Sequence, residues 1–141
     1  MMNADKINFF NNTFKNTFSL KEYNNYGNIC VYIKNIDLKF IKSVLDEFLI
    51  YLRYVSNKCL EISSKFNKDQ YCVHIYLEGC TRKNFSLPLF KKINKIFMDE
   101  TDDILNTLYI YNKNPLCIKM IQLVKHVMDK DTRKKIVIVK Q

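Results

Sequence analysis

The sequence predicts an α/β domain built on a mostly parallel sheet of at least four strands with helices on both faces. Four short runs rich in β-branched and aromatic residues carry this reading: Ile29–Ile33, Cys72–Leu77, Leu108–Tyr111 and Lys135–Val139 each have the length and composition of a strand. Helical patterns separate them, and a strand, helix, strand alternation implies parallel pairing through crossover helices. The runs are nearly continuous in apolar residues, as strands covered on both sides are, which is why helices are expected on both faces. Only 2 Gly and 2 Pro among 141 residues cannot supply the repeated tight turns of a many-stranded sandwich or barrel, nor a glycine-rich phosphate loop.

The elements follow in order. Residues 1–22 place Ile7, Phe10, Phe14 and Phe18 at helical spacing among Asn and Thr, which suits an N-terminal arm or short helix ahead of a domain spanning 23–141. After the first strand, apolar residues recur every three or four positions from Leu38 through Leu45, Leu52 and Cys59 to Phe66; Asp37 is the natural N-cap of one long helix. The spacing also fits a coiled coil, but a helix followed at once by a strand packs on its own sheet. The second helix starts at Ser86, with Pro88 in its first turn and Leu89, Ile93, Ile96 and Phe97 inward. Thr101 is placed to cap a short turn holding Asp102 and Asp103. A third helix has Asn114 as cap and Pro115 as first residue, and its apolar positions, Leu116 to Met128, cover more than one stripe. Such breadth means burial on several sides, or a surface facing something apolar other than protein.

The length is one domain's worth. Twenty-three Lys plus Arg against 14 Asp plus Glu give a net charge of +9, which favours anionic partners such as nucleic acid or an acidic membrane leaflet. The split is 20 Lys to 3 Arg, and scarcity of the bidentate guanidinium argues against nucleic acid. Sixteen Asn and 16 Ile beside the lysines also indicate an AT-rich coding sequence, so drift accounts for part of the charge. Five cysteines, Cys30, Cys59, Cys72, Cys80 and Cys117, contain no CxxC pair; neither a disulfide framework nor a zinc site is signalled, and reduced cytoplasmic thiols are expected. No run approaches the roughly 20 apolar residues of a membrane span, and the N-terminus lacks a signal-peptide core.

A catalytic constellation is hard to assemble. The two histidines fall mid-strand (His74) and on the polar edge of a helix (His126), where one is a satisfied core group and the other a solvated one. GxSxG, HExxH and GxGxxG are absent. Asp99, Glu100, Asp102 and Asp103 fit helix-end electrostatics and lack the partner ligands of a calcium loop. The expectation is no enzyme activity, no cofactor and no metal.

The last third carries a resemblance. Residues Asp102 to Val139 present an acidic turn, a strand, Asn112, Pro115, a long helix, Asp129, Thr132, Lys135 and Ile136, an order that resembles the CRAL-TRIO family of lipid-binding domains. CVHIYLEG ending at Gly79 is similar to the family's "vfDlkG" strand, with Tyr76 replacing the Asp. YGNICVYIKNIDL from Tyr26 is similar to its "dGRPVyi" opening, with Asn28 and Ile29 where the family has Arg and Pro. The likeness covers about 115 residues, a count that resembles a truncated or divergent member of this single-domain class. It lacks the usual N-terminal helical module and closing segment.

The resemblance implies that residues Pro115 to Met128 form a gate helix over an apolar cavity floored by the sheet, lined by Val73, Ile75, Leu77, Ile110, Ile118, Ile121 and Val124. It implies a lipid headgroup site at Asp103, Thr132 and Lys135, the positions used by phosphatidylinositol-binding members. The hydroxyls associated with phosphatidylcholine are absent, Tyr71 and Val73 standing in their place. The function implied is lipid transfer or sensing by a cytoplasmic protein peripheral to membranes, with a lipid ligand and transient contact with an anionic membrane surface. The alternative is a protein-interaction module of the same fold that holds no lipid. A nucleic-acid binder using Lys83, Lys91, Lys92, Lys95, Arg133 and Lys134 is the reading the arginine scarcity weighs against.

Overall fold

The structure, a computed structural model, describes residues 2–99, 102–112 and 116–140. It opens with α1 (Ala4–Thr13), followed by β1 (Phe18–Tyr23), β2 (Tyr26–Tyr32), α2 (Leu38–Ser43), α3 (Leu45–Ser64) and β3 (Tyr71–Tyr76). The second half comprises α4 (Leu87–Phe97), β4 (Leu105–Asn112), α5 (Leu116–Val127), α6 (Lys130–Lys134) and β5 (Ile136–Lys140). The sheet order is β1-β2-β3-β4-β5; β1 is antiparallel to β2 and the remaining pairs are parallel. All four anticipated strands are present in a mostly parallel α/β sheet.

One strand was not anticipated. β1 lies within the segment expected as an arm, and it pairs with β2 from Phe18↔Val31 to Tyr23↔Tyr26. The turn between them is Asn24-Asn25, both residues at positive φ (56° and 66°), the combination a two-residue hairpin needs. The described positive-φ residues other than Gly79 are Asn24, Asn25, Asn67 and Asp103. In a chain poor in glycine, Asn and Asp take the left-handed positions, where their short polar side chains are tolerated best.

The long first helix is two. Asp37 caps α2, accepting from the Phe40 N–H (3.1 Å). Val44 then leaves the helical region (φ −129°, ψ 33°), and the Ser43 hydroxyl donates to the Phe40 carbonyl, which draws off a helix acceptor where the chain turns. In α4, Ser86 accepts from the Leu89 N–H and Pro88 lies in the first turn. The expected cap and first residue of α5, Asn114 and Pro115, and the expected cap Thr101 lie outside the described residues.

The helices expected on both faces share one. A sequential strand order joined by right-handed crossovers brings every connection back to the same side. That side carries Phe18, Ile29, Val31, Tyr71, Val73, Ile75, Leu108 and Ile110, all buried and all in the main core with residues of α1, α3, α4 and α5. Alternate residues, Asn28, Cys30, Cys72 and His74, are buried on the opposite face beneath tyrosines rather than helices.

α3 sits tightest. The Gly27 N–H donates to Ser63 Oγ (2.8 Å), and a Cβ at Gly27 would collide with the Cys59 carbonyl and lie 2.9 Å from Cys59 Sγ. Tyr71, fully buried, donates its hydroxyl to the Phe97 carbonyl (2.7 Å) and therefore accepts from Ser56 Oγ (2.9 Å), joining β3 to α3 and α4. Gly27→Ala is expected to push α3 off the sheet and cost about 1 to 3 kcal/mol; an unchanged urea midpoint would contradict the close approach.

Candidate functional site

An apolar cavity of about 40 Å³ lies at the carboxyl-terminal end of the parallel strands. Its floor is Ile75, Leu77 and Ile110, and its roof is Met120, Ile121 and Val124 of α5. Leu89 and Phe90 of α4 form one wall, and Ile33, Ile36 and Phe85 close the end. The strand residues reach it because positions 75 and 77 share one face and register pairs Ile75 with Ile110. The helix residues reach it because Met120, Ile121 and Val124 form the buried seam of α5.

Polar groups at the rim are engaged. Asn84 donates to the Lys34 and Ile36 carbonyls (3.1 Å each) and accepts from the Thr81 N–H (3.0 Å). Ser86 is the α4 cap. Of the residues assigned to the cavity, Ile75, Leu77, Ile110, Ile121 and Val124 line it. Val73 is fully buried in the core and is not among the lining residues; Ile118 is 55% exposed and points outward with Leu123, 47% exposed. The excess apolar breadth of this helix is thus partly a solvent-facing surface.

Asp103, Thr132 and Lys135 are brought together in a separate open recess of about 510 Å³ with Asp99, Asp131 and Lys134. Lys135 Nζ lies 2.7 Å from Asp103 Oδ1 and 2.7 Å from the Leu105 carbonyl. Thr132 is buried, held by Asp129, whose carboxylate caps α6 by accepting from the Asp131 and Thr132 N–H groups. Leu105 lines this recess and Ile110 the apolar cavity, so the two are separated by about 17 Å of β4.

The network the sequence did not announce lies on the opposite face of the sheet. Asn28 donates its amide to the Tyr23 and Tyr26 carbonyls (3.1 and 2.9 Å), so its Oδ1 is the acceptor for His74 Nε2 at 2.7 Å. His74 Nδ1 then accepts from the Tyr111 hydroxyl at 2.8 Å, which defines a neutral imidazole protonated at Nε2. Burial, with the Lys21 charge second, lowers its pKa from 6.5 to about 4. Tyr32 stacks on Tyr76 at 4.7 Å and Tyr76 on Tyr111 at 4.3 Å, and Tyr109 stacks on the imidazole at 4.7 Å. The signal was present as the alternation Cys72, His74, Tyr76 against Val73, Ile75, Leu77. With both ring nitrogens engaged, His74 holds the sheet together and is not a free base.

The lysines weighed for nucleic acid are divided: Lys91, Lys92 and Lys95 are exposed on α4, Lys83 sits in the turn Arg82–Asn84, and Arg133 and Lys134 are on α6. Among the described residues no cluster of His, Cys, Asp and Glu could hold a metal ion, and no helix is long and apolar enough to cross a membrane.

The fold and the crevice together define the class: an α/β domain that encloses an apolar cavity beneath one of its crossover helices. The chain belongs to the CRAL/TRIO domain family, whose profile matches residues 13–141. No curated protein sequence matches the chain significantly. Among solved structures, the crystal structure of Sfh5 matches with a TM-score of 0.70 and 17% identity over 98% of this chain and 49% of that one. The likeness is one of fold, and this chain spans about half the length of that relative's.

The buried neutral imidazole has a measurable consequence. Its folded pKa, about 4, is below the unfolded value of 6.5, so the unfolded chain takes up the proton first as pH falls. Stability from this group is complete above the unfolded pKa and declines through acid, by about 2 kcal/mol between about pH 7 and pH 5. Urea melts of the parent and His74→Gln should differ by that increment; identical pH dependence would contradict a neutral, buried His74.

Proposed function

We propose that the domain binds a lipophilic ligand between its sheet and α5, which acts as a gate, and that it transfers or senses that lipid at membranes. The observation that carries this reading is the lining of the cavity: it is apolar on floor, roof and walls, and the polar groups at its rim are already bonded to backbone. Removing hydrocarbon from water there yields about 25 cal/mol per Å², with no polar group left to discriminate against it.

The cavity volume, about 40 Å³, is close to that of one water molecule, about 30 Å³, and far below the roughly 300 to 1,000 Å³ of a ligand pocket. In this reading it is the closed form. The way α5 is seated supports opening: it packs mainly against α4 and makes few contacts with the strands, whereas α3 is held by β1, β2 and β3. A phospholipid, phosphatidylinositol in the finer form of the proposal, would lie along β4 with its acyl chains under α5 and its phosphate at Lys135 and Thr132. The ammonium supplies a point charge and the threonine hydroxyl a hydrogen bond. The same small volume favours the second reading, a collapsed domain that binds a protein and no lipid.

Ile121→Phe separates the two. If α5 opens over a ligand space, the larger ring occupies it, lowering uptake of a fluorescent fatty acid while costing less than about 1 kcal/mol; in a collapsed core the same change overpacks and costs about 1 to 3 kcal/mol. Absence of uptake by the parent together with a marked loss of stability in the variant would favour the interaction module. Lys135→Ala should weaken phosphatidylinositol transfer selectively, with little loss of stability because its partner Asp103 is 71% exposed. Equal losses for neutral and anionic lipids would remove Lys135 from the headgroup site.

A further inference from the structure

A second basic feature stands beside the apolar cavity, at the opposite end of the sheet from Lys135. The turn Ile33–Asn35, α2 and the turn Arg82–Asn84 enclose an open groove of about 710 Å³ lined by Lys34, Lys39, Lys42 and Lys83. Its one acidic lining residue is Asp37, whose carboxylate is committed to capping α2. All four lysines are exposed, and among the described residues none of them forms an ion pair. By contrast Lys6, Lys58, Lys65 and Lys135 each pair with a carboxylate. The groove and the cavity share two wall residues, Ile36 and Asn84, so the unpaired charge borders the place where hydrocarbon would be held.

We propose that this lysine groove is the surface through which the domain docks onto an anionic phospholipid bilayer. The inference rests on the lipid-binding reading of the adjoining cavity and names the membrane face it works from. Charge complementarity selects the partner: mobile ammonium groups on flexible stems suit a fluid array of headgroups, which needs no fixed bidentate geometry. The groove brings the cavity rim at Ile36 and Asn84 against the headgroup layer. It also separates attraction from recognition, since Lys135 is already neutralised by Asp103 and adds little to the field outside the recess.

The test compares two triple variants that remove the same three charges. Lys39→Gln, Lys42→Gln and Lys83→Gln together change the groove; Lys91→Gln, Lys92→Gln and Lys95→Gln change the exposed side of α4. Each protein is sedimented with phosphatidylcholine vesicles containing about one third phosphatidylserine, and with vesicles of phosphatidylcholine alone. At about fivefold per lysine, the groove variant should partition on the order of 100-fold more weakly onto anionic vesicles, while the α4 variant changes by no more than about threefold. Equal losses in the two variants would mean that net charge alone acts, and no loss in either would remove the groove from membrane contact; both overturn the proposal. So would a groove variant that keeps its vesicle binding but loses binding to a single-stranded oligonucleotide. Loading with a fluorescent fatty acid delivered from solution, without vesicles, isolates the cavity. The groove variant should load like the parent, and failure of the parent to load would sink the cavity reading while the vesicle result still judges the docking surface.

Discussion

Strand order and crossover handedness impose one-sided burial, and most of this structure follows from it. Four strands laid down in sequence, with crossovers of the usual right hand, bring α1 to α5 against one face. The other face has to exclude water by its own side chains. It does so with rings standing upright across neighbouring strands: Tyr32, Tyr76 and Tyr111 are stacked within 9° of parallel, contacts worth about 0.5 to 1.5 kcal/mol apiece beyond the area they bury. Beneath them Asn28 and His74 are nearly inaccessible to solvent, which is tolerable because each polar atom of the pair has a partner. The polar network is thus a consequence of the topology, and its chemistry is structural.

The helix face is divided by how its helices are seated. α3 is fixed to the sheet by the close approach at Gly27, the Ser63 bond and the Tyr71 hydroxyl, whose two partners lie on α3 and at the end of α4. Phe10, Phe14, Phe18, Phe48 and Tyr51 extend that anchorage as a continuous aromatic cluster. Among the described residues α5 is attached more weakly, by a thiol contact from Cys80 Sγ to Met120 Sδ at 3.8 Å. Its inward side is the aliphatic seam of Met120, Ile121 and Val124 over the cavity, held mainly by dispersion and hydrophobic contact, which are non-directional.

The parts of this arrangement legible in the sequence are those set by period. The four strand runs, the helical spacing between them and the caps at Asp37 and Ser86 all depend on local pattern, and they stand where the pattern put them. β1 escaped notice because its turn is Asn-Asn rather than the Asn-Gly that marks a hairpin most strongly, and its alternation of apolar and polar residues, Phe18 to Lys21, is only four residues long. The break at Val44 was hidden because apolar spacing continues through it. Coverage of both faces was inferred from hydrophobic density, but Cys, His and Tyr on alternate positions are compatible with a face sealed by aromatic rings and hydrogen bonds. Five cavity residues converge because strand parity and the α5 seam are both periodic; Ile118 does not, because a helix apolar on several sides leaves its rotation undetermined until its neighbours are known.

Electrostatics distinguishes the two basic regions more sharply than residue type does. Lys135 is paired at 2.7 Å with Asp103 and bonded to the Leu105 carbonyl, so much of its solvation has already been exchanged for protein contacts. In the loaded state proposed above, a phosphate replaces the exposed Asp103 carboxylate, and the ammonium passes from one anion to another without standing unpaired, which keeps the exchange inexpensive. Such a site acts at contact range, because a neutralised pair has little field beyond a Debye length of about 8 Å. Lysines 39, 42 and 83 make the opposite case: they are exposed, unpaired among the described residues, and their charges add at a distance. The lysine count alone made these regions equivalent, whereas the placement of a few carboxylates, above all Asp103 against Lys135 and Asp37 turned into a helix cap, leaves one neutralised and the other with its charge exposed.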